Sequence, residues 1–154
     1  MKYSIDTSSI LEGWRRHYPP DVFPGLWDQL DALIADGHLR STEEVLHELE
    51  RKDDELFEWA KARPAFFVDI DDVIQRSVQK LLAKYKKLLD TRKNRSGADP
   101  FVIALAGVNS CSVVSNELRT GSLNRPNIPD VCADMGIRCI TLLELIREQE
   151  WQFS

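Results

Sequence analysis

The N-terminal segment of the chain reads Lys2-Tyr3-Ser4-Ile5-Asp6-Thr7-Ser8-Ser9. Residues 2–5 are predicted to form a short buried strand, which the polar run beginning at Asp6 ends. A helix is predicted to follow, because one helical face carries Ile10, Leu11 and Trp14. The Pro19-Pro20 pair ends that helix. The chain therefore opens with a strand that runs directly into a helix.

The same alternation continues along the chain. Helical spacing of apolar residues predicts helices over about 22–36 and 73–89, and Pro100 indicates the first turn of another. Two capping boxes, Ser41 with Glu44 and Thr141 with Glu144, predict further helix starts. Short apolar stretches predict strands at 38–40, 112–114 and 138–140, and either a strand or an extended connector at 66–68.

Strands that alternate with helices favour a parallel sheet covered on both faces. The predicted fold class is therefore α/β, a doubly wound α/β/α sandwich with a mostly parallel central sheet. A chain of 154 residues is about one domain long, so a single domain over residues 1–154 is expected.

The composition indicates a soluble globular protein. Hydrophobic residues make up 43% of the chain and charged residues 29%, and no apolar stretch approaches the roughly 20 residues of a membrane helix. The N-terminus lacks the features of a signal peptide. Cys111, Cys132 and Cys139 fit neither a disulfide framework nor a CxxC zinc pair. We expect a cytoplasmic protein with no membrane partner.

The charge is unevenly distributed. The net charge is −5, yet residues 76–95 contain eight basic residues and one acidic residue. Such a basic segment suggests a polyanionic partner, and a solvated helix face is the alternative interpretation. The candidate nucleic-acid-binding residues in this basic segment are Lys84, Lys86, Lys87, Arg92, Lys93 and Arg95.

Four acidic residues are candidates for a common site. Ligands of doubly wound sheets bind at the carboxyl ends of the strands, and Asp6 and Glu117 each follow a predicted strand. Asp99 at a helix start and Glu48 inside a helix can reach the same edge. Each also has a simpler interpretation: Asp6 and Asp99 as helix caps, Glu48 and Glu117 as solvated carboxylates.

Converging carboxylates are the ligands that hard divalent cations such as Mg²⁺ and Mn²⁺ prefer. A cation held there activates water for attack on a phosphodiester, so no side-chain nucleophile is required. Consistent with this chemistry, the sequence has neither a GxSxG elbow nor a convincing cysteine–histidine pair. The four acids therefore predict a metal-dependent nuclease.

The motifs around these acids resemble those of the PIN-domain family over nearly the whole chain. A hydrophobic strand ending in aspartate and hydroxyl residues matches Tyr3 to Ser9, and an acid before a leucine on a helix matches Glu48-Leu49. The most specific segment runs from Gly97 to Ala106 and contains Asp99 at the head of an alanine-rich helix. The fourth motif is Val113-Val114-Ser115-Asn116-Glu117, with glutamate where aspartate is commoner in the family.

This resemblance implies a PIN-like endoribonuclease that depends on Mg²⁺ or Mn²⁺, with Asp6, Glu48, Asp99 and Glu117 as ligands. Thr7, Ser8 and Ser115 would orient these ligands through hydrogen bonds. Related branches include toxins of type II toxin–antitoxin pairs, so the resemblance also implies an RNA substrate, an antitoxin partner and a homodimer.

Two alternatives compete with this prediction. A receiver or phosphohydrolase of the same fold class needs a paired acid after the first strand and a late lysine, but here Asp6 is unpaired and no lysine follows Cys111. A catalytically silent PIN-like module that binds RNA or protein is the second alternative, because Glu117 departs from the usual aspartate.

Overall fold

A computed structural model describes residues 1–89 and 97–153 of the chain. Five parallel strands form one sheet in the order β3-β2-β1-β4-β5. The strands are β1 (Tyr3–Ile5), β2 (Leu39–Thr42), β3 (Phe67–Val68), β4 (Ser112–Val114) and β5 (Cys139–Ile140). The predicted α/β class with a parallel central sheet is confirmed, and residues 67–68 are a strand.

Eight α-helices flank the sheet in the described part of the chain. They are α1 (Thr7–Glu12), α2 (Pro24–Ala35), α3 (Glu43–Lys52), α4 (Asp54–Lys61), α5 (Asp72–Lys84), α6 (Asp99–Asn109), α7 (Ile128–Met135) and α8 (Leu142–Glu148). A π-helical turn, Gly13–His17, continues α1, and a 3₁₀ turn, Pro64–Phe66, precedes β3. None of the helices described is both long and apolar enough to cross a bilayer.

The strand order makes the sheet doubly wound. The chain first moves outward from β1 through β2 to β3 and then returns to place β4 beside β1. Because parallel crossovers are right-handed, the helices before and after this reversal cover opposite faces. The reversal opens a crevice between the carboxyl ends of β1 and β4, which is where ligands bind in such sheets.

Two sequence predictions were wrong, and each failed because of a tertiary contact. The helix predicted over 73–89 ends at Lys84, since Tyr85 and Leu88 turn into the core instead of continuing the exposed face. The residue that caps α3 is Thr42 and not Ser41. The Ser41 hydroxyl instead donates to the Ile5 carbonyl 2.7 Å away and so joins β2 to β1.

A group of tryptophans packs beneath the end of the π-helical turn. The rings of Trp14 and Trp27 meet edge to face with centroids 4.8 Å apart, and Trp27 meets Trp59 at 5.2 Å. The Trp27 indole Nε1 also donates to the Tyr18 carbonyl at 2.7 Å. Since packed aromatic rings restrict one another's position, these contacts hold the backbone from Trp14 to Tyr18 in place.

Gly13, the first residue of the π-helical turn, lies against the start of α8. A Cβ atom at this position would stand 2.9 Å from Leu142 Cδ2, closer than carbon atoms can approach. Gly107, inside α6, is different, because a Cβ there would be in ordinary contact with Ile137 Cδ1 at 3.6 Å. The two glycines should therefore respond oppositely to the same substitution.

We predict that Gly107→Ala raises the free energy of unfolding by about 0.5–1 kcal/mol, the usual gain of alanine over glycine in a helix. Gly13→Ala should lower it by about 1 kcal/mol, because Leu142 has to move to admit the methyl group. Urea denaturation of both variants measures the two changes. Equal gains at the two positions would contradict the close packing at Gly13.

Candidate functional site at the carboxyl edge of the sheet

Asp6 lies at the crevice where the strand order reverses. It follows β1 directly, and its backbone N–H donates to the Val114 carbonyl of β4 at 3.0 Å, which extends the β1–β4 ladder by one bond. Its side chain caps α1 by accepting from the Ser9 N–H at 2.8 Å. The residue is only 1% exposed. The simpler interpretation of Asp6 as a helix cap is thus confirmed, and it leaves the carboxylate at the predicted edge.

Two hydroxyl groups converge on one oxygen of the Asp6 carboxylate. Ser8 Oγ and Ser115 Oγ each donate to Asp6 Oδ2 at 2.8 Å. The two serines are held in turn by backbone N–H groups, Asn116 N donating to Ser8 Oγ at 3.2 Å and Glu117 N to Ser115 Oγ at 3.1 Å. The segment after β4 and the start of α1 are therefore joined around this carboxylate.

The environment of Asp6 disfavours its negative charge. Burial raises the pKa of the Asp6 carboxyl to about 7, and the neighbouring charge of Glu117 raises this pKa as well. Hydrogen bonds from Ser9, Ser8 and Ser115 act in the opposite direction and are outweighed. A positive charge beside Asp6 and Glu117 would relieve both the desolvation and the repulsion.

Glu48 is joined to two of the three other predicted acidic positions through their neighbours. Thr7 Oγ1, next to Asp6, donates to Glu48 Oε2 at 2.5 Å, and the Ala98 N–H, next to Asp99, donates to Glu48 Oε1 at 3.1 Å. Glu48 and Asp99 are both buried, at 3% and 5% exposure. Asp99 is the first residue of α6, and Ala98 rather than Asp99 occupies the capping position. Glu48 thus ties α3 to the starts of α1 and α6.

Asp130, which was not among the predicted site residues, anchors the segment that follows Glu117. The Asp130 carboxylate accepts from the N–H groups of Thr120, Gly121 and Asn127, at 2.8 to 3.1 Å, and from the Thr120 hydroxyl at 2.9 Å. The hydrogen bonds from these backbone groups lower the pKa of Asp130 in spite of its burial. The segment that begins with Glu117 is therefore folded back onto the start of α7, where Ile128 N approaches Glu117 Oε1 at 3.5 Å.

A local signal for Asp130 was present in the sequence. Asn127 and Asp130 form a capping box at the start of α7, with Pro129 in the first turn. An acceptor at the third helical position after asparagine is the pattern of this box. The cap alone, however, does not reveal that the same carboxylate also binds Thr120 and Gly121.

The described acids do not form a ready-made cage for a metal. Within residues 1–89 and 97–153, no three His, Cys, Asp or Glu side chains are grouped in a way that could hold a metal ion. Their chemistry nevertheless fits Mg²⁺, which is usually bound through one or two carboxylates, several waters and substrate phosphates. Asp6 and Glu117 would supply such a pair of hard oxygen donors, and a cation would relieve their mutual repulsion.

The predicted basic segment is only partly described. Lys84 ends α5 and forms an ion pair with Asp134 at 3.2 Å, so its charge is partly neutralised by a carboxylate of the protein itself. Lys86 and Lys87 lie in the turn that follows and are exposed. The predicted residues Arg92, Lys93 and Arg95 fall outside the described residues.

One solved structure with a similar fold is VapBC2 from Rickettsia felis bound to a DNA fragment from their promoter. The similarity covers 92% of this chain and 98% of that chain, with a TM-score of 0.57 and 13% sequence identity. At this identity the likeness establishes the fold alone, and the fold is PIN-like. No curated protein matches the sequence.

A family model gives the remaining comparison. The model is described as "Domain of unknown function (DUF4411)", and it matches residues 3–153, nearly the whole chain. The chain therefore belongs to the DUF4411 family.

Proposed function

We propose that this protein is a metal-dependent endoribonuclease and the toxin of a type II toxin–antitoxin pair. The observation that carries the proposal is the buried Asp6 carboxylate at the reversal point of the sheet, with Glu117 close enough to raise its pKa. The fold neighbour belongs to a VapBC toxin–antitoxin complex, which supports the same assignment.

In this proposal Asp6 and Glu117 hold a Mg²⁺ or Mn²⁺ ion, and Asp99 and Glu48 supply further carboxylate ligands. When bound, the cation supplies an activated water and neutralises charge that develops on the phosphodiester. Ser8 and Ser115 keep Asp6 Oδ2 in one orientation, and Thr7 does the same for Glu48 Oε2. The protein contributes positioned carboxylates, while water acts as the nucleophile.

Two protein contacts belong to the proposal. An antitoxin would cover the acidic edge, and a second copy of the chain would form a homodimer. Loss of cleavage on adding the product of the adjacent open reading frame tests the first contact. The particle mass from light scattering tests the second, and a monomer at all concentrations would exclude the dimer.

A catalytically silent module that binds RNA or protein is the second candidate. The lack of three grouped metal-ligand side chains among the described residues favours it. The two candidates differ in one measurable property, since a working site binds the cation and thereby stabilises the folded state.

We predict that Mn²⁺ raises the melting temperature, and that the rise is larger at about pH 8 than at about pH 5.5. Asp6 has a pKa of about 7 in the fold, so below that pH the cation has to displace a proton. At a cation concentration near 100 Kd the stabilisation is about 2.7 kcal/mol, or about 5–10 °C for a domain of this size.

The stability of the metal-free protein should instead fall as the pH rises. The folded pKa of Asp6 lies above its ordinary value of 3.8, so the fold binds this proton more tightly than the unfolded chain. The stability that this proton adds is fully present below pH 3.8 and is lost as the pH rises through about 7. Scanning fluorimetry across this range, with Asp6→Asn as control, measures both trends. A Mn²⁺ shift that Asp6→Asn retains in full would remove Asp6 from the site.

The cleavage assay itself uses Asp99→Asn. We expect this variant to lose more than about 100-fold in RNA hydrolysis, because even groups that only orient metal ligands are worth about 10–100-fold. Asp72→Asn is the matched control, since Asp72 is the first residue of α5 as Asp99 is of α6, and it is exposed. Equal hydrolysis by Asp99→Asn and wild type would rule out Asp99. If the wild type neither cleaves RNA nor responds to Mn²⁺, the silent module is the correct assignment.

The basic turn after α5 has its own prediction. Charge reversal at Lys86 and Lys87 should weaken RNA binding and reduce the slope of log K against log salt by about 1–2, since each phosphate contact to a single strand contributes about 0.7. Reversal of Arg51 and Lys52, an adjacent exposed pair at the end of α3, makes the same charge change elsewhere. The same slope in both variants would show that Lys86 and Lys87 face only solvent.

A further inference from the structure

A cavity of about 250 Å³ lies beside Asp6, between α1 and the start of α8. Its wall includes His17 and Tyr18 at the end of the π-helical turn, Asn116 after β4, and Leu142 and Leu143 of α8. We call it the side cavity. Among the described residues, neither the four acids nor the basic segment contributes to its wall.

The side cavity is joined to Asp6 through two of its wall residues. Ser9 lines the cavity, and its backbone N–H donates to Asp6 Oδ1 at 2.8 Å. Asn116 lines it as well, and its N–H donates to the Ser8 hydroxyl, which donates to Asp6 Oδ2 at 2.8 Å. A phosphodiester held by a cation at Asp6 would therefore place its attached nucleoside near this cavity.

The wall offers the groups that recognise a base. Single-stranded RNA is bound when a splayed base stacks on aromatic side chains and pairs with polar groups at its edge. His17 and Tyr18 provide rings, Leu142 and Leu143 provide apolar contact, and the Asn116 amide offers both donors and an acceptor. The volume is below the roughly 300 Å³ at which drug-sized sites begin, so the cavity suits one ring system.

Two features of the backbone and wall point to a ligand. π-Helical turns are rare and often lie at functional sites, and this one ends at the cavity with His17. The hydroxyl of Ser9 is buried and has no hydrogen-bond partner among the described residues, although most buried polar groups are paired. Ser9 is also a wall residue, so this unsatisfied hydroxyl lies directly behind the cavity surface.

From these contacts we infer that the side cavity binds the base of one RNA nucleotide, adjacent to the phosphodiester held at Asp6. The inference rests on the proposed function, because it takes the phosphate at Asp6 as its starting point. It deepens that proposal by naming the subsite that selects the nucleotide beside the cleaved bond.

The test compares binding of the four nucleoside 5′-monophosphates with that of ribose 5-phosphate, in the presence of Mn²⁺. Because all five ligands carry the same phosphate, the difference between a monophosphate and ribose 5-phosphate measures the contribution of the base. Stacking is worth about 1–3 kcal/mol per base, so at least one monophosphate should bind about tenfold more tightly than ribose 5-phosphate. Calorimetry on the full chain gives the five dissociation constants.

Variants locate the difference. Leu143→Trp fills the cavity, Asn116→Ala removes the amide, and each should abolish the tenfold preference for the monophosphate. Val108→Trp is the matched control, since Val108 is 42% exposed against 43% for Leu143 and lies at the end of α6, away from the cavity. The preference should survive in this control. If no monophosphate binds better than ribose 5-phosphate, or if Leu143→Trp keeps the preference, the inference is wrong.

Failure of the subsite and failure of the nuclease proposal give different results. A protein that cleaves no RNA but shows a base preference lost in Leu143→Trp supports the subsite and contradicts the nuclease. A protein that hydrolyses RNA in an Asp99-dependent manner but shows no base preference supports the nuclease and overturns the subsite.

Discussion

The carboxylate of Asp6 is the point on which the carboxyl edge of the sheet depends. Asp6 follows β1 directly, and its carboxylate caps α1 and accepts a hydrogen bond from the serine that follows β4. Three elements therefore meet at one residue. Its burial makes the charged form unfavourable, and the pKa of about 7 expresses that cost. A carboxylate that served only as a helix cap would be more stable in its charged form if it were exposed, since solvation would keep its pKa low.

Each hydroxyl residue around the acids binds a different acceptor or helps to bind a shared one. Ser8 and Ser115 donate to Asp6, and Thr7 donates to Glu48. Ser41 donates to the carbonyl of Ile5, the residue before Asp6. The serine and threonine hydroxyls therefore fix the orientation of the Asp6 and Glu48 carboxylates without help from solvent. The two serines hold the Asp6 carboxylate in place despite the repulsion from Glu117.

The sequence predicted those parts of the fold that depend on local pattern. The alternation of strands and helices and the Thr141–Glu144 cap are confirmed, because period and capping are properties of neighbouring residues. The Ser41 cap was wrong, because its hydroxyl bonds across the sheet, and the helix over 73–89 was too long, because Tyr85 packs inward. The roles of Asp6, Glu48, Asp99 and Glu117 as ligands stay predictions. The π-helical turn and the contacts of Asp130 depend on packing between distant segments, which periodicity does not report.

The π-helical turn has a consequence for how this protein can change. A π-helix differs from an α-helix by one additional residue in the turn, and removing a residue between Gly13 and His17 would restore ordinary α-helical geometry. The residues beyond the deletion would keep their direction around the helix axis, because the π-helical turn accommodates the additional residue as a local bulge. The hydrogen bond from the Trp27 indole to the Tyr18 carbonyl would therefore be kept, and the change would fall on the residues of the turn itself. Loss of one codon there would thus alter the surface beside the acids locally, without turning the elements on either side of it.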